Sequence, residues 1–466
     1  MRAFLLSLVV LGTSLGVAPV TAATDAPPPV VVALIDTGIN PYHPAFRDRT
    51  RADQHPSEYI PNYPDFIQPL NLTLDAPTMQ AALEADAAVW ASVKPNTVYW
   101  VPGTRIVGWV SFSAGGTRCD GSFPDVPPAN GVLATGCTER LLLDDQGHGT
   151  MTASRAAGEG TSLAPDARIV AIEGLGTRGV SFAADLGWVD VQSNSWGSLL
   201  PGVGNRRVIE AAASKHLVMF ASGNGTAFSG AAPTPTQTHS TRAKGALQVG
   251  AHDNGYVSPW SDAPAHLVAD GYGGPIAPND SLEPVSESAL ACCTSAAAPY
   301  AAGAAAAILQ HARQLLGDLT PGLVEDPEGG SPIAASGTPV PGSVLLEDGV
   351  FTLEEWKQLL LWTAEERPLE GQHDGWRNFL AGPSMPERLE HGPGENPYCL
   401  LCVTAPVPWS TIPAEVPAYL SIGYGAANER SVALAKAVLD GDLPLTPRPE
   451  VDAFFELDDQ YGTLRP

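Results

Sequence analysis

The sequence predicts an α/β fold built on a mainly parallel central sheet. Predominantly apolar runs without regular alternation recur along the chain, at residues 30–35, 167–172, 217–221 and 247–250. Such runs are typical of parallel strands that are buried on both faces. A stretch of helical character, residues 206–216, separates two of them. Strand and helix therefore alternate, which is the pattern of a parallel sheet flanked by helices.

The composition limits the classes of partner. The 466 residues are enough to bury a sizeable core. The chain carries 50 Asp and Glu against 25 Lys and Arg, a net charge of −25. Phosphate binding needs a basic surface, so we expect no nucleic-acid partner. The acidity is typical of a solvated surface on a soluble protein.

The first residues resemble a secretory signal peptide. Arg2 precedes an apolar run, residues 4–17, which ends in the small-residue pattern Val20-Thr21-Ala22. The run is shorter than the roughly 18 residues that a membrane span needs. We therefore predict that residues 1–22 are removed and that the protein is secreted to the extracellular medium, without membrane association.

Residues 30–440 are expected to form one domain. Three segments rich in Pro, Gly and acidic residues lack periodicity and are predicted to be insertions or long loops: 46–103, 316–350 and 367–415. Thr352 and Glu355 have the spacing of a capping box, which predicts a surface helix directly after Thr352. Residues 443–466 are expected to be an acidic tail.

The first motif with residues that could take part in catalysis is Asp36-Thr37-Gly38. It directly follows the first predicted strand, so Asp36 lies at the carboxyl edge of the sheet, where α/β folds form their sites. Taken alone, an Asp in this place is more often a turn or helix cap.

The second motif is Gly147-His148-Gly149. Glycines on both sides let the backbone approach a substrate closely and leave the imidazole accessible. A single His in a loop is otherwise an ordinary surface residue.

The third motif is Thr294-Ser295, which opens an Ala-rich helix. A Ser there presents its hydroxyl close to backbone N–H groups that could bind a developing oxyanion. Without the other two motifs, a helix N-cap would be the better interpretation.

Together the motifs, in the order Asp, His, Ser, resemble the subtilisin-like serine protease family. Segments between them agree with the family as well: residues 160–167, the substrate-binding strand Ser193-Asn194-Ser195-Trp196-Gly197 and the oxyanion segment Ala221-Ser222-Gly223-Asn224. Residues 423–427 and the helix after them look like the closing segment of the family. The resemblance thus covers residues 30–439 and implies the subtilisin-like three-layer fold.

The resemblance also implies an activity, that of a secreted serine endopeptidase acting on polypeptides through an acyl-enzyme. Ser295 would be the nucleophile, His148 the base and then the acid, and Asp36 the group that orients His148. Asn224 would bind the oxyanion together with the Ser295 N–H. The remaining predicted site residues bind substrate: Ser195, Trp196 and Gly197 as an added strand, and Ala221, Ser222 and Gly223 as the pocket wall. A core position for Trp196 is the equal alternative.

His43 also matches a family position, one without a catalytic role. No cofactor is needed for the chemistry. A structural calcium ion is implied by the resemblance, but the sequence identifies no ligands and contains neither EF-hand spacing nor a zinc motif. We expect a monomer.

The six cysteines are expected to form disulfides, because export leads to an oxidising compartment. Cys119 with Cys137 would close a loop, and Cys399 and Cys402 form a C-x-x-C pair. Cys292 and Cys293 would either bridge each other or pair elsewhere, as with the C-x-x-C cysteines, which is the preferred hypothesis.

The sequence departs from the family at three places. Cys293 stands where the family usually has Gly, and its Cβ would restrict the backbone if that position needs a left-handed conformation. Fewer than ten residues follow the predicted cleavage site before the first strand, which leaves no room for a folding-assistant propeptide. The segment between Asp36 and His148 is much longer than a minimal member needs.

Two rival functions remain open at this point. A binding protein could keep the shell of the family without catalysis, although the presence of Asp36, His148, Ser295 and Asn224 argues against it. A secreted esterase or amidase could use the same triad on a small substrate, although the strand-like segment 193–197 favours extended peptides.

Overall fold

The computed structural model describes residues 27–112, 142–144, 146–197, 203–224, 243, 245–253, 256–257, 261, 265–271, 274–283, 293–316, 340–341, 345–346, 350–366 and 425–446. The predicted signal peptide, segment 367–415, most of segment 316–350 and every cysteine except Cys293 lie outside these residues. The disulfide pairings therefore stay predictions.

One large sheet forms the centre of the molecule. Its strands, in chain order, are β1 Val31–Asp36, β2 Gln68–Pro69, β3 Tyr99–Trp100, β4 Ile106–Ser111, β5 Arg168–Glu173, β6 Val191–Asn194, β7 Leu217–Ala221, β8 Leu247–Asp253, β9 Tyr256–Val257, β10 Leu267–Asp270, β12 Glu365–Glu366 and β13 Gly425–Ala427, while β11 Val340–Pro341 and β14 Pro444–Leu445 form a separate pair. The run β13-β10-β8-β7-β6-β1-β5-β4 is parallel throughout. The predicted mainly parallel sheet is confirmed.

Helices cover both faces of this sheet and complete a three-layer α/β fold. They are α1 Met79–Ala85, α2 Ala87–Ser92, α3 His148–Ala157, α4 Thr177–Ala184, α5 Val203–Ala213, α6 Thr294–Leu316, α7 Leu353–Trp362 and α8 Glu429–Leu439. Helices α3, α6, α7 and α8 share one core with the sheet, and α4 and α5 pack on the opposite face against β7.

Strand β1 shows why the apolar runs do not alternate. Val32 and Leu34 face the core that contains α3 and α6, while Val31, Ala33 and Ile35 face the second core, with β4 and Trp188. All six residues of β1 are buried. Burial on both faces accounts for the unbroken apolar run of residues 31–35, which ends at the buried carboxylate of Asp36.

Segment 46–103 is more ordered than an insertion without periodicity suggests. It contains α1 and α2 and adds β2 and β3 to the edge of the sheet beyond β4. Each of these strands is two residues long, too short to produce a periodic pattern. Asp86 docks the segment: its carboxylate accepts hydrogen bonds from the Tyr42 hydroxyl at 2.7 Å and from Thr73 N at 2.7 Å.

Helix α7 begins where the capping box predicts. Thr352 Oγ1 accepts from Glu355 N, and the Glu355 side chain accepts from Thr352 N. The helix packs one face against α6, where Trp356 is only 1% exposed. Glu354 is exposed and Lys357 and Gln358 are half-buried on the other face, so α7 is a largely buried helix with one narrow polar face at the surface.

The ends of the described chain add two observations. The first residues of the predicted tail belong to the fold, since β14 pairs with β11. Within the residues that the structure describes, no helix is long and apolar enough to cross a membrane.

Candidate active site

Asp36 and His148 meet at the carboxyl edge of the sheet. Asp36 is the last residue of β1 and is buried, while His148 opens α3 with a quarter of its side chain exposed. His148 Nδ1 lies 2.7 Å from Asp36 Oδ1. A carboxylate accepts from Nδ1–H, so Nε2 is the imidazole nitrogen left to take a proton.

Two threonines hold the Asp36 carboxylate in place. Thr37 N donates to Asp36 Oδ1 at 2.8 Å, and Thr152 Oγ1 contacts Asp36 Oδ2 at 3.1 Å. Both oxygens of Asp36 therefore accept hydrogen bonds in addition to the contact with the imidazole. Such support fixes the direction in which the carboxylate holds His148.

Glycine is needed after His148 because α3 packs closely against the turn that follows β1. A Cβ at Gly149 would lie 2.2 Å from Gly38 O, so only Gly lets α3 approach the end of β1 this closely. Gly149 N also donates to Thr37 Oγ1 at 2.9 Å. The flanking glycine was predicted, but for a different reason.

A second carboxylate, Asp144, supports the start of α3. Its Oδ1 accepts from the Thr37 hydroxyl at 2.9 Å and from Gly147 N at 2.9 Å, while its Oδ2 accepts from Thr150 N. Burial alone would lower the pKa of His148, but the charge of Asp36, the hydrogen bond to it and the charge of Asp144 together raise that pKa above its ordinary value. Both carboxylates therefore favour the imidazolium.

Ser295 lies in the first turn of α6 and forms a reciprocal pair with Ser195. Ser195 Oγ donates to Ser295 O at 2.8 Å, and Ser295 Oγ donates to Ser195 O at 3.2 Å. Pro299 explains the first bond, because a proline has no N–H to donate to the carbonyl four residues earlier. The Ser195 hydroxyl supplies the missing donor.

The structure does not join the three predicted catalytic residues into one hydrogen-bonded chain. Asp36 and His148 are bonded, whereas among the described residues Ser295 and His148 share no hydrogen bond. The Ser295 hydroxyl donates to the Ser195 carbonyl instead. Hydrogen bonds between a nucleophile and its base are often long or misaligned without substrate and shorten when substrate binds.

Cys293 adopts the conformation that the usual glycine of this position would adopt freely. Its φ is +78°, and its side chain is buried. The position therefore needs a left-handed backbone, as the departure from the family suggested, and the chain reaches it with a Cβ present.

Asn224 follows β7 and is oriented by Thr294. Thr294 N and Thr294 Oγ1 donate to Asn224 Oδ1, at 3.1 Å and 2.7 Å. A backbone N–H can only donate, so the bonded atom is the amide oxygen and the NH₂ group points the other way. Asn224 thereby presents donors, which is what an oxyanion requires.

The other predicted binding residues continue two neighbouring strands, β6 and β7. Ser195, Trp196 and Gly197 follow β6, with Gly197 exposed. Trp196 is half-buried and packs edge-on against Phe220, with ring centroids 5.4 Å apart, so it is in part a core aromatic. Beyond β7, Ala221 and Ser222 are buried and Gly223 is half-buried.

His43 lies apart from the pair Asp36 and His148. Its Nδ1 accepts from Ala45 N, capping the short 3₁₀ helix Pro44–Phe46, and burial lowers its pKa. Concerning calcium, the described part of the chain contains no group of three or more His, Cys, Asp or Glu that could hold a metal ion.

Sequence reasoning missed the residues that support the site. Asp144, Thr37, Thr152 and Thr294 all bond to candidate site residues or to their backbone. Their proximity to the motifs was the available signal, since each lies within four positions of Asp36, His148 or Ser295. Small polar residues near a motif are too common to be singled out by type alone.

Comparison with protein families gives one match. The profile described as the subtilase family, peptidase S8, matches residues 29–376. A search of curated proteins finds no match. One solved structure, the crystal structure of a cold-adapted subtilisin-like serine proteinase, is 18% identical, over 65% of this chain and 86% of its own, with a TM-score of 0.36. A TM-score this low carries no weight, and the family assignment comes from the profile.

Proposed function

The chain belongs to the subtilase family, and from that premise we propose that it is a secreted serine endopeptidase that uses Asp36, His148 and Ser295. Membership supports a serine-type peptidase with polypeptide substrates. The observation that carries the finer proposal is the 2.7 Å contact between Asp36 Oδ1 and His148 Nδ1 at the carboxyl end of β1.

In the proposed mechanism the Ser295 hydroxyl turns from Ser195 O to His148 Nε2. It then attacks the scissile carbonyl while His148 takes its proton, and the imidazolium is stabilised by Asp36. The C–N bond breaks as His148 returns the proton to the leaving amine, which gives the acyl-enzyme. Water then attacks the ester with the same proton transfers and releases Ser295.

Substrate is expected to bind as an extended chain beside residues 195–197. Beyond the end of β6, Trp196 is half-buried and Gly197 is exposed, and we propose that an extended peptide pairs with this part of the backbone. Ala221 and Gly223 lie at the end of the adjacent strand β7, where they would border the pocket for the residue before the cleaved bond. This arrangement favours a peptidase over an esterase of small substrates.

Secretion and disulfides belong to the same proposal. The signal-like residues 1–22 support export, and export supports pairing of the six cysteines. We retain a structural calcium ion as a family expectation without assigned ligands, and a monomeric protein in solution.

The first experiment uses a fluorophosphonate probe on the purified protein, with adduct mapping by mass spectrometry. Labelling confined to Ser295, lost in Ser295→Ala, is the expected result, because only an activated serine reacts readily. Ser195→Ala is the matched control, because it removes the other serine hydroxyl of the reciprocal pair. This variant should still be labelled at Ser295. If the folded protein takes up no probe, the chain is instead a binding protein that has the fold of the family without its catalysis. If the protein is labelled and cleaves a simple ester but not casein, it is an esterase.

Replacing Asn224 with Ala is expected to lower kcat about 10²- to 10³-fold with KM nearly unchanged. The amide would donate to the oxyanion only as charge develops, so its loss raises the barrier more than it weakens substrate binding. Steady-state peptide hydrolysis measures this split. The matched control is Asn205→Ala at an exposed position of α5, which should leave both constants as they are. A wild-type kcat in Asn224→Ala would remove Asn224 from the oxyanion site.

Replacing Asp144 with Asn is expected to extend activity to lower pH. The imidazole must be neutral to accept a proton, so activity is lost as the pH falls through the pKa of His148. The negative charge of Asp144 contributes to raising that pKa, and its removal lowers it. The pH profile of kcat/KM measures the position of the acid limb. The control is Asp440→Asn, at the end of α8, which should leave the acid limb of the profile at the wild-type pH. An acid limb at the wild-type pH in Asp144→Asn as well would show that the charge of Asp144 does not raise the pKa of His148.

A further inference from the structure

The turn that precedes Ser295 is held in an unfavourable conformation. Cys293 has φ +78°, a region that residues with a Cβ avoid. Its N–H donates to Gly271 O at 2.6 Å, and its carbonyl accepts from Ala296 N and Ala297 N at 3.0 Å and 3.2 Å. Such a conformation persists only where the surroundings fix it from several sides.

The backbone N–H of Cys293 is bonded to the residue that follows β10, Gly271. Gly271 directly follows Asp270, the last residue of that strand. A Cβ at Gly271 would lie 2.9 Å from Cys293 O and 2.4 Å from the Ala251 side chain, so glycine is what lets the two backbones meet. The position of this strand end therefore determines the position of the turn.

Arg155 binds this strand end from the helix that carries His148. Its Nη2 donates to Asp270 O at 2.8 Å and to Asp270 Oδ2 at 3.0 Å. The Arg155 side chain is only 1% exposed, and its guanidinium carbon lies 4.2 Å from the centre of the Tyr300 ring on α6. One buried cation thus contacts the strand end and both helices that carry the candidate catalytic residues.

The space around Arg155 is shaped for the guanidinium. A Cβ at Gly274 would lie 2.1 Å from Arg155 Nη1, so the segment after β10 passes the cation only because it has glycine there. A buried arginine needs partners of this quality to offset the loss of hydration. Its hydrogen bonds go to Asp270, at the strand end beside the Ser295 turn, and its ring contact goes to Tyr300 on α6.

We propose that Arg155 is a positioning residue that, through Asp270 and Gly271, holds Cys293 in its left-handed conformation and so aligns Ser295 with His148. This inference rests on the proposed function of Ser295. Without the cation, the turn relaxes toward the conformations that a Cβ prefers, and Ser295 spends less time where His148 can reach it. Glycine at position 293 needs no such support.

The test is a cycle of variants read out by the rate of fluorophosphonate labelling at Ser295. Arg155→Met is expected to label about tenfold more slowly than wild type, with kcat for peptide hydrolysis lowered by a similar factor and KM unchanged. Adding Cys293→Gly to Arg155→Met is expected to restore the rate to within about threefold of wild type. Cys293→Ala is the matched control: it removes the sulfur and whatever bond it makes but keeps the Cβ, so it should not restore labelling.

Three outcomes overturn the proposal. They are a wild-type labelling rate in Arg155→Met, equal rates for the Gly and Ala variants in the Arg155→Met background, and a loss confined to KM. If Arg155→Met does not fold, as judged by near-ultraviolet circular dichroism, Asp270→Asn weakens the same ion pair and the same pattern is expected there.

A second readout does not depend on catalysis. Hydrogen exchange of the Cys293 amide, which is bonded to Gly271 O, is expected to speed up at least tenfold in Arg155→Met relative to the amide of Leu309 farther along α6. If wild-type protein takes up no probe, the proposed function fails, while unchanged exchange in Arg155→Met would refute the positioning role by itself.

Discussion

Replacing Asp36 with Ala is expected to lower kcat about 10⁴-fold, equivalent to about 5.5 kcal/mol of transition-state stabilisation. The carboxylate accepts from His148 Nδ1 at 2.7 Å, so its loss frees the imidazole to rotate and to take the wrong tautomer. It also removes the charge that stabilises the imidazolium. Peptide hydrolysis under saturating substrate measures the effect, and a loss of less than tenfold would exclude Asp36 from the triad.

Asp36→Asn separates orientation from charge. Thr37 N donates to Asp36 Oδ1, the oxygen that also meets His148, so an amide oxygen is favoured at that position. The amide nitrogen then faces Thr152 Oγ1, which can accept from it while donating to Gly149 O. The tautomer is thus retained, and we expect a smaller loss than in Asp36→Ala. Equal losses would show that charge dominates.

Replacing Arg313 with Ala is expected to lower the free energy of unfolding by about 3–5 kcal/mol. Arg313 and Asp190 form a buried two-bond pair, with Nη2 to Oδ1 at 2.6 Å and Nη1 to Oδ2 at 3.1 Å. The side chains are 5% and 4% exposed, so Ala would leave an uncompensated carboxylate inside the protein. The pair also fixes the start of β1, since Arg313 Nη1 donates to Pro29 O and Val31 N donates to Asp190 Oδ2.

Urea unfolding followed by tryptophan fluorescence measures this loss of stability. Arg430→Ala is the matched control, because Arg430 pairs with Glu365 at 3.0 Å with its own side chain 82% exposed, and should cost less than about 1 kcal/mol. Adding Asp190→Asn to Arg313→Met removes both charges and keeps an acceptor for Val31 N, so this double variant should be more stable than Arg313→Ala. An Arg313→Ala variant as stable as Arg430→Ala would show that the pair contributes no net stability.

The sequence was informative where one local pattern determines one structure. The β-branched run before Asp36 specified a strand buried on both faces, and the capping box at Thr352 specified where α7 begins. In each case a few consecutive residues carry the physical cause. The contact between Asp36 and His148 was predicted from the resemblance to the family, in which the Asp of the first motif orients the His of the second.

The rest depends on residues that are distant in the chain. Arg155 lies in an Ala-rich helix, and nothing nearby indicates that its charge is buried against Asp270, 115 positions away. The Ser195 hydroxyl fills the donor position vacated by Pro299, which requires knowing how β6 meets α6. The pattern of Trp356, Leu359 and Leu360 predicted an apolar face on α7, but it did not indicate that α6 would cover that face.

The central place of β1 has a consequence for the order of folding. Strand β1, the first in the described part of the chain, lies in the middle of the sheet, and its two neighbours arrive only with residues 168–173 and 191–194. Contacts between segments so far apart in sequence require large loops to close, which slows folding. During synthesis β1, which is apolar on both faces, stays unpaired until β5 and β6 have emerged. The ion pair between Asp190 and Arg313, which fixes the start of β1, forms only after Arg313 leaves the ribosome. Folding of this protein is therefore expected to be largely post-translational, with β1 exposed to chaperones in the interval.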